Sequence, residues 1–212
     1  MIFFEGAVME DFVIIKVRRE LRDELKILKR EWKFRSLQAL LRYLLMNARE
    51  KELAIISEKI FEDTRPAILT GESGAGKTTA MKKLLRKVNS SIFVIDVSNE
   101  YDFLKPISLS EFFAVDFTKN QQLRFVPSAS QELCQAEVNL ILRHLNFIKR
   151  DGKLKNTIIV LEEAHRFIQD PEFITFLVEA RKFTKKFIVI TTEYQPVKHI
   201  APVYRPPPFE VK

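Results

Sequence analysis

Apolar and polar positions change rhythm along this chain, and the changes divide it. A β-branched run from Asp11 to Val17 predicts a short strand. Leu21, Leu25 and Leu28 then recur at i, i+4 and i+7, and Leu37, Leu40, Leu41, Leu44 and Leu45 form a second stripe. That spacing predicts two helices between Glu20 and Arg49, with Ser36 as N-cap of the second. From Arg65 onward, short unbroken apolar runs alternate with helical periods. Strands are expected at Pro66–Thr70, Ile92–Val97, Phe113–Phe117, Thr157–Leu161 and Phe187–Thr192. Helices are expected over about Lys77–Val88, Ser130–Arg150 and Ile174–Phe183. Strands without polar alternation are buried on both faces, so the pattern predicts an α/β domain: a parallel sheet covered by helices. The expected organisation is a strand-helix-helix module over 1–50 and a charged, partly helical connector over 51–64. The α/β domain follows over 65–200, and then a Pro-rich tail over 201–212. The tail, Pro202–Pro208 in particular, should be extended and poorly packed.

Composition narrows the class. With 46% hydrophobic residues in 212, the chain can bury one ordinary core and is too apolar to be disordered. No run approaches the roughly 18 apolar residues that span a bilayer. The N-terminal MIFFEGAVMEDF lacks a basic n-region, so no secretory signal is expected. The single cysteine, Cys134, excludes a disulfide framework or a Cys-rich zinc site and suits a reducing cytoplasm. Lys+Arg 35 against Asp+Glu 28 gives +7 and an isoelectric point near 9.4. That balance suits a polyanionic partner.

One segment carries specific chemistry. Gly71-Glu72-Ser73-Gly74-Ala75-Gly76-Lys77-Thr78 fits G-x-x-x-x-G-K-[ST] completely, after a predicted strand and opening a predicted helix. Glycines let the backbone wrap around phosphate oxygens, and the helix N-terminus adds its positive end. Lys77 would reach the β- and γ-phosphates, the Thr78 hydroxyl would ligate Mg²⁺, and the site extends to Thr79. A nucleoside-triphosphate site for ATP and Mg²⁺ is therefore expected. Its acidic half would be Glu162-Glu163, after the strand Thr157–Leu161. Glu162 stands on the metal side and Glu163 would be the general base that polarises water. The 86 positions between Lys77 and Glu163, with the expected strand Ile92–Val97 among them, leave room for a strand inserted between the two halves, the additional-strand, RecA-like arrangement. A nucleotide kinase would more often lack the second carboxylate, and a partition-type ATPase needs a lysine where Glu72 stands. His144, His165 and His199 are too scattered for a metal set. His165 is expected to pack behind the acidic pair.

Three segments together resemble the HerA/FtsK superfamily of DNA-translocating ATPases. Phe93-Val94-Ile95-Asp96-Val97-Ser98-Asn99-Glu100-Tyr101 is similar to its second strand, which ends in an acidic residue and a Glu-Tyr pair. Leu161-Glu162-Glu163-Ala164-His165 resembles its D-E-A-H strand end, with Glu for Asp. Glu179-Ala180-Arg181-Lys182-Phe183 and the strand after it resemble its G-R-K-F segment and sensor strand. The resemblance covers roughly residues 65–196. It implies a hexameric ring that moves DNA, with helicase, export, conjugation or viral packaging roles. It further implies a polar sensor at Thr192 or Gln195, and Arg181 as a finger reaching a neighbouring subunit's γ-phosphate. The small size suits a virus- or plasmid-encoded member, then in the host cytoplasm.

The N-terminal module, Ile15–Leu25 with Phe34–Leu37 and Leu40–Arg42, resembles a ribbon-helix-helix domain. That resemblance implies dimerisation by strand pairing and a ribbon entering double-stranded DNA. Lys16, Arg18, Arg19 and Arg35 are the candidate DNA contacts. From Lys16 to Arg35 nine basic residues face four acidic ones, which favours phosphate contact. If Val13, Ile15 and Val17 face the core, only Lys16 among the outward positions is polar, which leaves little for reading bases. The leading expectation is a DNA-dependent ATPase. A DNA-binding regulator switched by ATP, or an ATPase acting on protein through a dimerising clamp, remain alternatives.

Overall fold

In a computed structural model, residues 6–9, 12–15, 19–192 and 199–205 are described. The chain begins with an antiparallel hairpin of β1 (Gly6–Met9) and β2 (Phe12–Ile15), registered Gly6 to Ile15. Helices α1 (Arg19–Glu31) and α2 (Leu37–Glu62) follow. Ser36 caps α2 as expected, its Oγ accepting the Ala39 amide at 3.0 Å. Helix α2 runs on through residues 51–62, the stretch expected as a partly helical connector. Its Ile60 is fully buried against the sheet, so packing carries the helix past its charged middle.

The rest alternates strand and helix: β3 (Ala67–Thr70), α3 (Lys77–Leu85), β4 (Ser91–Ile95), β5 (Lys105–Ile107), α4 (Leu109–Phe113) and β6 (Gln122–Phe125). Then come α5 (Gln131–Ile148), β7 (Thr157–Leu161), α6 (Pro171–Glu179), β8 (Lys186–Thr191) and β9 (Val203–Tyr204). Seven strands form one sheet in the order β5-β6-β4-β7-β8-β3-β9, parallel throughout. The α/β reading holds.

Because side chains alternate along a strand, two cores result. Ile68, Phe93, Ile95, Ile159, Leu161, Phe187 and Val189 pack under α4, α5 and α6. Ala67, Leu69, Ile92, Val94, Ile158, Val160, Ile188 and Ile190 pack under α2 and α3. Strands β3 and β7 are not neighbours, since β8 lies between them. The inserted strand is thus the late one, Lys186–Thr191, and not the expected Ile92–Val97, which as β4 lies beyond β7.

Two further expectations need correction. No strand forms at Phe113–Phe117. Ser108 and Glu111 make a reciprocal capping box that starts α4, a strong local helix signal. Phe112 and Phe117 reach the core from that helix and the turn after it, while the strands are β5 and β6. The tail is described only over residues 201–205, where it is extended but not loosely packed, and the prolines from Pro206 to Pro208 lie outside the described residues. Ala201 is buried, the Pro202 carbonyl accepts the Ile68 amide, and β9 adds to the sheet beside β3. A proline can sit there because it uses its carbonyl and β9 is an edge strand.

Candidate nucleotide site

Parallel strands place all their C-terminal ends on one edge, where ligands of open α/β sheets bind. Here β3, β4, β7 and β8 deliver, in turn, the glycine loop, the Asp96–Tyr101 loop, Glu162-Glu163 and Thr192. Within the glycine loop, Gly74 and Gly76 have φ of 78° and 77°, the left-handed region that glycine enters freely. Gly76 occupies the N-cap of α3 with no side-chain cap, so no side chain competes with a ligand for the amides of the first turn. The Lys77 ammonium lies back across the loop, donating to the carbonyls of Gly71 at 2.8 Å and Glu72 at 2.9 Å.

The two acidic neighbours occupy different surroundings. Glu162 is buried. Its Oε1 accepts from the Thr78 hydroxyl at 2.8 Å and the Tyr101 hydroxyl at 3.1 Å, while its Oε2 is buried without a partner. Burial pushes its carboxyl up to about 7, against the pull of those two hydroxyls. Glu163 is half-buried and has a left-handed backbone, φ 48° and ψ 37°. Such strain in a side chain with a Cβ is characteristic of functional sites. Glu163 joins Ser73, Gly74 and Gly76–Thr79 in lining a cleft of about 270 Å³, closed by Ser98, Glu100 and Thr192. His165 does not simply pack behind the acidic pair. Its Nδ1 stands 3.5 Å from both Glu163 Oε2 and Thr192 Oγ1, a long contact bridging the two.

A buried carboxylate with one orphaned oxygen, tied to the hydroxyl of Thr78, fits a cation. Among the described residues no cluster of three or more His, Cys, Asp or Glu side chains could hold a metal by itself. A divalent ion here would depend on Thr78, Glu162 and the phosphates it accompanies, as Mg²⁺ characteristically does.

Not every expected residue converges. Arg181 is exposed on the short 3₁₀ turn Ala180–Lys182 and does not line the cleft. Glu72 is exposed and contributes its carbonyl, and Ala75 closes the loop by donating its amide to that carbonyl. Lys16, Arg18 and Gln195 lie outside the described residues, Arg19 opens α1, and Arg35 is exposed between α1 and α2. Sequence reasoning gave no role to Ser98, Glu100 or Tyr101 and missed Arg124. Asp96, fully buried at the end of β4, accepts from the amides of Glu100 and Tyr101 and from Arg124 at 2.9 Å. That anchor holds the loop so that Tyr101 reaches Glu162. Arg124 sits on β6, a strand too short and polar to announce itself.

The same stretch of chain answers to a known family. The description "AAA domain" matches residues 61–193, more than half of the chain. The chain belongs to the AAA family of P-loop ATPases. The matched span starts at the end of α2 and runs through Thr192, so it takes in the glycine loop, the acidic pair and the strand inserted between them. A comparison with curated proteins finds no match. As an AAA ATPase the protein binds and hydrolyses nucleotide. Among its described residues no helix is long and apolar enough to cross a membrane.

Proposed function

We propose that this AAA ATPase is an Mg²⁺-dependent, DNA-coupled motor of the HerA/FtsK type, acting in the cytoplasm. The observation that carries the reading is the meeting of Lys77, Thr78 and Glu163 in one cleft at the C-terminal edge of the sheet, with the buried Glu162 tied to it through the Thr78 hydroxyl. On ATP binding, the Lys77 ammonium exchanges two loop carbonyls for β- and γ-phosphate oxygens. Thr78 and Glu162 would hold Mg²⁺, and the ion would supply positive charge to offset that on the phosphates. Glu163 orients a water in line with the γ-phosphorus and takes its proton as the new P–O bond forms. The bond to the β,γ-bridging oxygen breaks, releasing ADP. Thr192, linked to Glu163 through His165, is placed to register the γ-phosphate. Arg181, outside its own cleft, would serve a neighbouring subunit's site in a ring.

Coupling to DNA is supported by the +7 charge and by the basic N-terminal module with Lys16, Arg18, Arg19 and Arg35. The ribbon-helix-helix likeness favours double-stranded DNA and dimers that assemble into a hexamer. In this chain β1 already pairs with β2, so a partner's ribbon would use the other edge of β2. Steady-state ATP turnover with and without duplex DNA tests the coupling, with Lys77→Ala as the blank. Strong stimulation that the mutation abolishes is expected. Turnover indifferent to DNA would overturn the motor and favour an ATP-switched regulator.

A further inference from the structure

The turn between α1 and α2 carries chemistry that the ATPase cleft does not use. Trp32, Phe34 and Tyr43 form a ring cluster there, with Trp32 and Tyr43 centroids 5.9 Å apart at 85° and Phe34 and Tyr43 5.2 Å apart. Buried aromatics would be ordinary core. These are not buried, because Trp32 is 48% and Tyr43 45% exposed. Arg30, Lys33, Arg35 and Arg42 flank them in the chain, all exposed. None of these four cations has an ion-pair partner among the described residues. Glu31 is the single acid between residues 29 and 43.

The backbone makes a concession at the same point. Lys33 has φ 55°, in the position after a helix where glycine is usual. The Phe34 amide closes the turn onto the Lys29 carbonyl at 3.0 Å. A side chain with a Cβ is disfavoured there, and the strain leaves a cation at the tip of the turn. Among the described residues the other left-handed non-glycine positions, Asn99 and Glu163, both belong to the loops around the nucleotide cleft.

Exposed rings fringed by unpaired cations match a polyanion that has flat π-faces of its own. A second copy of this chain meeting the patch about a twofold axis would bring like charges together. A duplex could satisfy the cations but keeps its base faces stacked inside. We propose that the α1–α2 turn is a stacking platform for unpaired nucleic acid, with Trp32 and Tyr43 taking base faces and the four cations taking flanking phosphates. The inference deepens the DNA-coupled reading, on which it rests, by assigning strand type to one surface.

Trp32 is the chain's one tryptophan, so intrinsic fluorescence of the full chain reports this surface directly. The probe is an oligothymidylate of about 12 nucleotides, compared with a duplex of equal length. Saturable quenching by the single strand and little by the duplex is expected. By anisotropy of a labelled strand, Trp32→Ala should weaken single-strand binding roughly 5- to 150-fold, and Trp32→Phe should restore most of it. Thermal unfolding of both variants checks that the module still folds. Equal quenching by duplex, no quenching, or undiminished binding by Trp32→Ala would overturn the proposal. So would a fluorescence change on diluting the protein without DNA, because a second copy would then cover the patch. Quenching by single strand with ATP turnover indifferent to DNA would fail the motor and leave the platform standing. DNA-stimulated turnover without quenching would do the reverse.

Discussion

Glu162 and Glu163 are neighbours in the chain with opposite environments, and the difference suits them to the separate roles proposed for them. Glu162 is buried against Thr78 and Tyr101, so its charge is costly until a cation arrives. Glu163 opens to the cleft and stays available to water. Where this family resemblance expects Asp, the longer Glu162 spans to both hydroxyls at once. Tyr101 is itself fully buried, and burial beside Glu162 holds its hydroxyl well above the usual phenol range, so it remains a donor. Removing that donor leaves Glu162 with one partner fewer in a dry site. Tyr101→Phe should therefore lower stability by about 1–3 kcal/mol in urea unfolding. An unchanged midpoint would show that the bond is not formed in solution. The motif residues Gly71–Thr79 and the acidic pair were legible because their chemistry is tied to fixed spacing. Asp96, Tyr101 and Arg124 were not, because their partnership spans 28 positions from Asp96 to Arg124 and leaves no local pattern.

At the scale of elements, what could be read depended on burial. Strands β3, β4, β7 and β8 are buried along their whole length, and each stood out as an unbroken apolar run. Strands β5, β6 and β9 have two to four residues and mixed burial at the sheet margins, so periodicity had nothing to register. Helix α2 was foreshortened for the converse reason: its charged middle hid the apolar residues that dock its second half. That docking has an electrostatic clasp. Lys186, buried at the start of β8, donates to the carbonyls of Asp63 and Arg65, at 2.6 Å for the first. Burial pulls its ammonium down to about 8 from 10.5. Between pH 8 and 10.5 the unfolded chain thus binds more protons at this lysine than the native protein, so its contribution to stability rises with pH and is lost as pH falls through 8. Lys186→Met should melt lower than wild type, with the gap widening from pH 8 to 10.5. Parallel melting curves across that window would show that burial does not depress this lysine. At the other end of α2, Ser36→Ala should cost about 1 kcal/mol by loss of the cap, measured by thermal unfolding.

The whole molecule is an ATPase sheet with a helical arm, and among the described residues no arginine lines its cleft. Arg181 lies outside it, so the proposed finger would act on a neighbouring site. Arg181→Ala should leave ATP binding intact and lower turnover by roughly 10³-fold or more. Mixing Arg181→Ala with Glu163→Gln subunits should restore part of the activity, since one supplies a complete cleft and the other the missing arginine. No recovery on mixing would contradict a shared site. The account as a whole stands on Glu163 as the base within that cleft. Single-turnover ATP hydrolysis and nucleotide binding, measured side by side for wild type and Glu163→Gln, test it most directly. The prediction is a loss of hydrolysis on the order of 10²–10⁴-fold with ATP binding preserved. Hydrolysis by Glu163→Gln at the wild-type rate would contradict it.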